Sequence, residues 1–155
     1  KIVPQKGIHR KQGGRFFERA LERCLISPSS VMISRSLLDE VGLFDTGLVA
    51  AEDYDLWLRI TAFYDVDFVP QPLVVKHGGN PDQLSMTTPA IDTYRIRAIL
   101  KILEDSRLNE DYRKTAVGEL IRKCRIVSIG CMKKGKTKEA QAYLELAESY
   151  QTGDN

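Results

Sequence analysis

The chain has 155 residues, enough for one domain with a real hydrophobic core. Hydrophobic residues make up 43% of it, charged residues 28%, and the formal net charge is +2. This composition gives no reason to expect nucleic acid or an anionic membrane as a partner, and no run of residues predicts a transmembrane segment. Three cysteines without metal-ligand spacing, Cys24, Cys124 and Cys131, favour free thiols in a reducing, cytoplasmic setting.

The first part of the chain predicts a linker, a helix and a strand. Residues 1–14 are basic and contain a glycine pair, which indicates a flexible linker or loop. Its cations favour a solvated arm, with phosphate binding as the alternative. Apolar residues at helical spacing predict a helix over residues 15–25, and alternation predicts a short strand over residues 30–34. A short helix over residues 36–41, with Ser36 as its cap, comes next.

The segment from Glu52 to Arg59 holds three carboxylates and the only tryptophan of the chain, Trp57. Leu56 and later apolar residues recur at helical spacing, so a helix is predicted to begin near Asp53. A carboxylate at a helix N-terminus is favoured by the free N–H groups and by the helix dipole. It stays ionised near neutral pH, as a base that takes a proton from a hydroxyl must be. A simple helix cap is the alternative for Asp53, and core packing is the alternative for Trp57.

Beyond this helix the sequence predicts two more strands and then a helical region. Residues 66–69 and 73–77 are expected to be extended, with Pro70 and Pro72 interrupting them. His77 follows, in front of a glycine-containing loop that can approach a ligand. From residue 89 onward, helical periodicity predicts three helices, and the last two resemble a tetratricopeptide-like hairpin. This hairpin either covers the sheet or offers a docking surface.

Several short pieces of the chain stand in a particular order and spacing. They are SSVMISR at 29–35, VGLFD at 41–45, EDYDLWLR at 52–59, Val69-Pro70, and His77. Together they closely resemble the second half of a family 2 glycosyltransferase domain of the GT-A fold, over residues 25–85. The resemblance implies an α/β fold, here an α+β fragment: a partial GT-A-like arrangement of short strands and helices, with a C-terminal helical bundle or hairpin. The expected domains are a linker (1–14), the acceptor-side half (15–88) and a helical extension (89–155).

The resemblance also implies a function and roles for individual residues. The chain would be the acceptor-side part of an inverting transferase that moves a sugar from a nucleotide-sugar to a glycan or other hydroxyl acceptor. Asp53 would be the general base, Glu52 and Trp57 would bind substrate, and His77 would help bind a divalent metal, Mn²⁺ or Mg²⁺, that carries the donor diphosphate. Localisation would be cytoplasmic, with the inner face of the membrane as one option.

The donor side of such an enzyme is not visible in this sequence. No glycine-rich phosphate loop and no Asp-x-Asp motif after an apolar strand occurs in it. The donor-binding half is therefore expected in a missing N-terminal part of the same protein, and the chain by itself is expected to be inactive, without bound metal. The alternative is a non-catalytic scaffold, derived from a glycosyltransferase, that docks a partner through its helical C-terminus.

Overall fold

The computed structural model of the chain describes residues 12–75 and 90–153. These residues form six α-helices and one 3₁₀ turn, Pro28–Ser30. In chain order the helices are α1 (Phe17–Glu22), α2 (Arg35–Val41), α3 (Glu52–Thr61), α4 (Asp92–Leu103), α5 (Glu110–Lys133) and α6 (Thr137–Thr152). None of the helices described is long and apolar enough to cross a membrane.

The expected α/β fold with GT-A-like strands is wrong for the described residues, because they are helical and contain no strand. Their only strand-like pairing is one antiparallel bridge, in which Gly14 and Val66 exchange two N–H···O bonds of 2.7 and 3.0 Å. A strand needs a neighbouring strand to bind its N–H and C=O groups. Val31 and Ser34 do have extended backbone angles. However, the described part of the chain provides no neighbouring strand for them.

Local sequence signals explain where α2 begins and ends. The Ser34 hydroxyl accepts the Leu37 N–H at 3.2 Å, so Ser34 caps the helix, and the prediction of Ser36 as cap was wrong. At the other end Gly42 has φ +84°, a conformation in which a Cβ is strained. Helix α2 therefore stops where the chain must turn toward α3.

Helix α3 begins at Glu52, within one residue of the predicted start. The residue before it, Ala51, is buried and has φ +60°, which is unusual for a residue with a side chain. The helix ends at Thr61, and a turn over residues 62–64 follows. The acidic residues thus lie in the first turn of α3, as the spacing predicts.

Helices α5 and α6 form the predicted hairpin. The Asn109 side chain caps α5 by accepting the Tyr112 N–H at 2.9 Å. Residues 134–136 make the turn into α6. Arg125, in the middle of α5, contacts Gln151 near the end of α6, as expected for antiparallel neighbours.

One buried cluster connects most of the helices. It draws residues from α1, α3, α4, α5 and α6, including Phe17, Tyr54, Leu58, Ile99, Leu120 and Ala147. This core is continuous across residue 89, where the sequence places a domain boundary; the boundaries themselves stay a prediction. A smaller cluster, around Leu56, Trp57 and Ile60, packs α2 against α3.

Candidate functional site at the start of helix α3

The two aspartates of α3 point to different sides of the helix. Successive residues of an α-helix are about 100° apart, so Asp53 and Asp55 are separated by about 200° around the axis. Asp55 is 1% exposed, whereas Asp53 is partly exposed. The acidic segment therefore gives two carboxylates with different surroundings.

Asp55 is the centre of a buried ion-pair network. One of its oxygens lies 2.8 Å from Arg59 Nη2, and the other lies 2.8 Å from Lys101 Nζ. The prediction that Arg59 pairs with a nearby carboxylate is confirmed by this contact. Because both oxygens face cations, the charge of Asp55 is compensated inside the protein.

The cations of this network join α3 to the chain before it and to α4. Arg59 also donates hydrogen bonds to the carbonyls of Val41 and Leu43, at the end of α2. Lys101, on α4, donates to Asp45 at 2.6 Å. The hydrogen bond from Lys101, together with the N–H of Gly47, holds the pKa of Asp45 below its ordinary value. The role of Asp55 is therefore structural.

Asp53 has different partners. Its Oδ2 accepts a hydrogen bond from the Cys24 thiol at 3.2 Å, and its Oδ1 lies 2.7 Å from the N–H of Tyr54. Within residues 12–75 and 90–153, no cation forms an ion pair with Asp53. An ionised carboxylate can accept about four hydrogen bonds. Asp53 therefore keeps acceptor capacity for a further ligand.

Cys24 is held as a thiol beside this carboxylate. Burial raises the pKa of Cys24 to about 12, with further contributions from the charge of Asp53 and from the hydrogen bond to it. At neutral pH the sulfur is therefore protonated and donates to Asp53. Thiols are weak donors, so this contact positions Asp53 without neutralising it.

The other predicted site residues differ in exposure. Glu52 is the first residue of α3 and is partly exposed, next to Asp53. Trp57 is 4% exposed, and its Nε1 donates to the Ile26 carbonyl at 3.0 Å, an arrangement that favours the packing alternative. His77 lies outside the described residues. The structure therefore brings Glu52 and Asp53 together at the surface and leaves Trp57 beneath it.

A buried polar group that the sequence analysis missed lies on α5 and lines a cleft together with Cys24. Lys123 of α5 is only 2% exposed, and its ammonium contacts Glu119 at 2.9 Å and Asp92 at 3.4 Å. Lys123 falls between Leu120 and Cys124, on the inward side of α5. The sequence did contain a signal for this buried ion pair: a lysine at an inward-facing position of the helix, with a glutamate four residues earlier.

The metal expected from the resemblance cannot be assigned to the described residues. Among them no three His, Cys, Asp or Glu side chains come together as a metal site would require. Asp53 faces a thiol that burial keeps protonated, which is a poor start for a ligand set.

Comparisons with known proteins leave the family open. Neither a protein-family model, nor a curated protein, nor a solved structure matches this chain.

Proposed function

We propose that this chain is the acceptor-side part of an inverting, nucleotide-sugar-dependent glycosyltransferase, with Asp53 as its general base. The proposal rests on the resemblance of the sequence motifs and is supported by one observation about the structure. Of the two aspartates at the start of α3, Asp55 forms ion pairs with Arg59 and Lys101, whereas Asp53 accepts a hydrogen bond from a neutral thiol. A base must be reachable and must have an oxygen free to accept a proton; of the two aspartates, the partly exposed Asp53 meets these conditions and the buried Asp55 does not.

The proposed reaction is a single displacement at the anomeric carbon of the donor sugar. The acceptor oxygen forms the new bond to that carbon as the bond to the nucleoside diphosphate breaks. The diphosphate leaves with the electron pair, and the proton of the acceptor hydroxyl passes to Asp53. Attack from the face opposite the leaving group inverts the configuration.

Neighbouring residues would position Asp53 and the acceptor. The Cys24 thiol, at 3.2 Å, fixes one carboxylate oxygen. Glu52, partly exposed in the same turn, would accept hydrogen bonds from sugar hydroxyls. Trp57, a buried residue of α3, would act by holding the helix in place through its hydrogen bond to the Ile26 carbonyl.

The donor side of the reaction requires more than the described residues. Nucleotide-sugar and metal would be held by a donor-binding half outside this sequence, together with His77. Exposed apolar side chains outside the helices support such a partner: Met32 is 99% exposed and Val75 82%. Three free thiols support a reducing, cytoplasmic location.

The direct test is Asp53→Asn in the full-length protein. The assay is release of nucleoside diphosphate from a panel of nucleotide-sugars, with and without candidate acceptors. We expect transfer to fall by at least about 100-fold, the usual contribution of a general base, while donor binding is retained. Normal turnover by this variant would remove Asp53 from the role.

Asp39→Asn is the matched control, because Asp39 is an exposed helical aspartate whose one ion pair within residues 12–75 and 90–153 is with Arg35. It removes the same charge from a neighbouring helix without touching the site. Its transfer rate should equal that of the wild type. An equal loss in both variants would mean that net charge, and not a base at position 53, controls the rate.

A second candidate function is a non-catalytic scaffold that docks a partner through its helices. It is favoured by exposed apolar side chains on α5, at Ile126, Ile129 and Met132. Under this hypothesis, Ile129→Glu abolishes partner binding in the full-length protein and Asp53→Asn has no effect. The transferase proposal expects the reverse for the transfer reaction.

A further inference from the structure

A cleft of about 360 Å³ lies between helix α1, with the residues after it, and helices α4 and α5. Cys24 lines the cleft and is also the donor to Asp53. The cleft therefore ends one side chain away from the proposed base.

The lining of this cleft is rich in cations. Six of its nine lining residues are charged, and four of these are positive: Arg23, Arg95, Arg122, Lys123, against Glu22 and Asp92. Glu119, which contacts both Arg122 and Lys123, adds one more negative charge. Cations thus exceed carboxylates by four to three, and concave walls concentrate the resulting field.

Lys123 is the most informative of these cations. Its ammonium is only 2% exposed and lies between two carboxylates, Glu119 at 2.9 Å and Asp92 at 3.4 Å. Its Nζ also lies 5.9 Å from the centre of the Tyr54 ring, and Arg95 lies 5.8 Å from the same ring. Two cations are therefore held over the face of one buried tyrosine, directly after Asp53 in the sequence.

Arg95 has donor capacity left. One of its terminal nitrogens donates to Asp92 at 3.0 Å, while its Nε is buried and, among the described residues, has no hydrogen-bond acceptor. Among the described residues, the only ion pair of Arg23 is with Glu22, at a distance of 3.8 Å. A planar guanidinium with free N–H groups is the usual partner of phosphate and carboxylate groups.

We propose that this cleft binds an oxyanion, phosphate or carboxylate, carried by the acceptor. This inference rests on the proposed function, since it assigns the cleft to the molecule that Asp53 deprotonates. In an inverting displacement the leaving diphosphate lies on the far side of the anomeric carbon from the attacking oxygen and its base. An anion bound beside the base therefore belongs to the acceptor, which would be a phosphorylated or carboxylated sugar or alcohol.

Binding can be measured without catalysis. The 155-residue chain is titrated with inorganic phosphate, with glucuronate and with UDP at low ionic strength, and amide NMR shifts are followed. We expect phosphate or glucuronate to bind, with the largest shifts at Cys24, Arg95 and Lys123. Arg95→Gln should weaken this binding about ten-fold, the effect of losing one hydrogen bond to a charged group.

Two further variants keep the test decisive. Arg23→Gln changes a half-exposed cation of the cleft and serves if Arg95→Gln does not fold; a loss of about three-fold is expected. Arg125→Gln is the matched control, because Arg125 is on α5 but does not line the cleft. Its affinity should match that of the wild type. Equal weakening in all variants, or no binding of any probe, overturns the proposal.

The probes also separate the possible sources of the anion. Binding of UDP alone, with phosphate and glucuronate without effect, would assign the cleft to the donor and contradict the acceptor assignment. Failure of the titration leaves the role of Asp53 intact, because that role is tested by transfer. Conversely, if the titration detects an anion site but Asp53→Asn has normal turnover, the anion site is real and its assignment to the acceptor is wrong.

Discussion

The two sides of helix α3 differ more than their sequence suggests. On one side Asp55 is enclosed by Arg59 and Lys101, which connect three parts of the chain. On the other side Asp53 meets a neutral thiol and a partly open surface beside a cationic cleft. Two aspartates two residues apart thus have different surroundings: Asp55 is buried in ion pairs, and Asp53 is partly exposed with acceptor capacity left. Substitutions on the two sides should separate stability from activity.

The largest effect on stability is expected from Asp55→Asn. This change leaves Arg59 and Lys101 facing an uncharged amide in a buried position, and the loss should be about 3 kcal/mol of unfolding free energy. Urea denaturation measures it. Asp39→Asn, at an exposed pair with Arg35, should change the same free energy by less than about 0.5 kcal/mol. Similar values for both variants would contradict the structural role of Asp55.

A smaller loss is expected from Tyr54→Phe. The Tyr54 hydroxyl is buried and donates to the Leu21 carbonyl at 2.6 Å, so its removal leaves that carbonyl without its donor. We expect a loss of about 1 to 2 kcal/mol in unfolding free energy. Tyr64→Phe removes an exposed hydroxyl that donates to Glu40, and it should have a much smaller effect. An equal loss in both variants would mean that burial of the Tyr54 hydrogen bond does not increase its contribution to the unfolding free energy.

Acid should weaken the cleft side of the molecule through Asp92. Burial raises the pKa of Asp92, but attraction by Lys123 and the hydrogen bond from Arg95 outweigh it, so the pKa falls below its ordinary 3.8. A depressed folded-state pKa gives stability that is complete above the ordinary pKa and is lost as pH falls through the folded value. The difference in unfolding free energy between wild type and Asp92→Asn should therefore shrink below about pH 4. A difference independent of pH would contradict this account.

A change in thiol reactivity should report the charge of Asp53. The charge of Asp53 and its hydrogen bond help to raise the pKa of Cys24, after burial. Asp53→Asn should lower that pKa and speed alkylation of Cys24 by iodoacetamide about three-fold or more at mildly alkaline pH. Mass spectrometry can follow Cys24 and Cys124 in the same sample. Cys124, buried on α5, is the internal control and should keep its rate; an unchanged rate at Cys24 would contradict the contact.

Features of the fold that depend on neighbouring residues could be predicted from the sequence, and features that depend on distant residues could not. The helices were predictable, because periodicity and caps such as Asn109 are local signals. The strands were not, because pairing depends on a distant partner. Val31 and Ser34 have extended backbone, but the part of the chain that the structure describes provides no strand to pair with them.

For the candidate site too, the sequence predicted the local position of residues but not their long-range contacts. The location of Asp53 in the first turn of α3 followed from spacing. Its contact with Cys24, 29 residues earlier, did not, and neither did the pairing of Asp55 with Lys101. The cleft needed three separate elements to be packed together, and no local pattern encodes that packing.

The most direct test compares Asp53→Asn with Asp55→Asn in the full-length protein, with unfolding free energy and sugar transfer measured on the same samples. The account predicts that Asp53→Asn keeps wild-type stability within about 1 kcal/mol and loses transfer, while Asp55→Asn is strongly destabilised. Wild-type turnover by a folded Asp53→Asn variant would contradict the central claim.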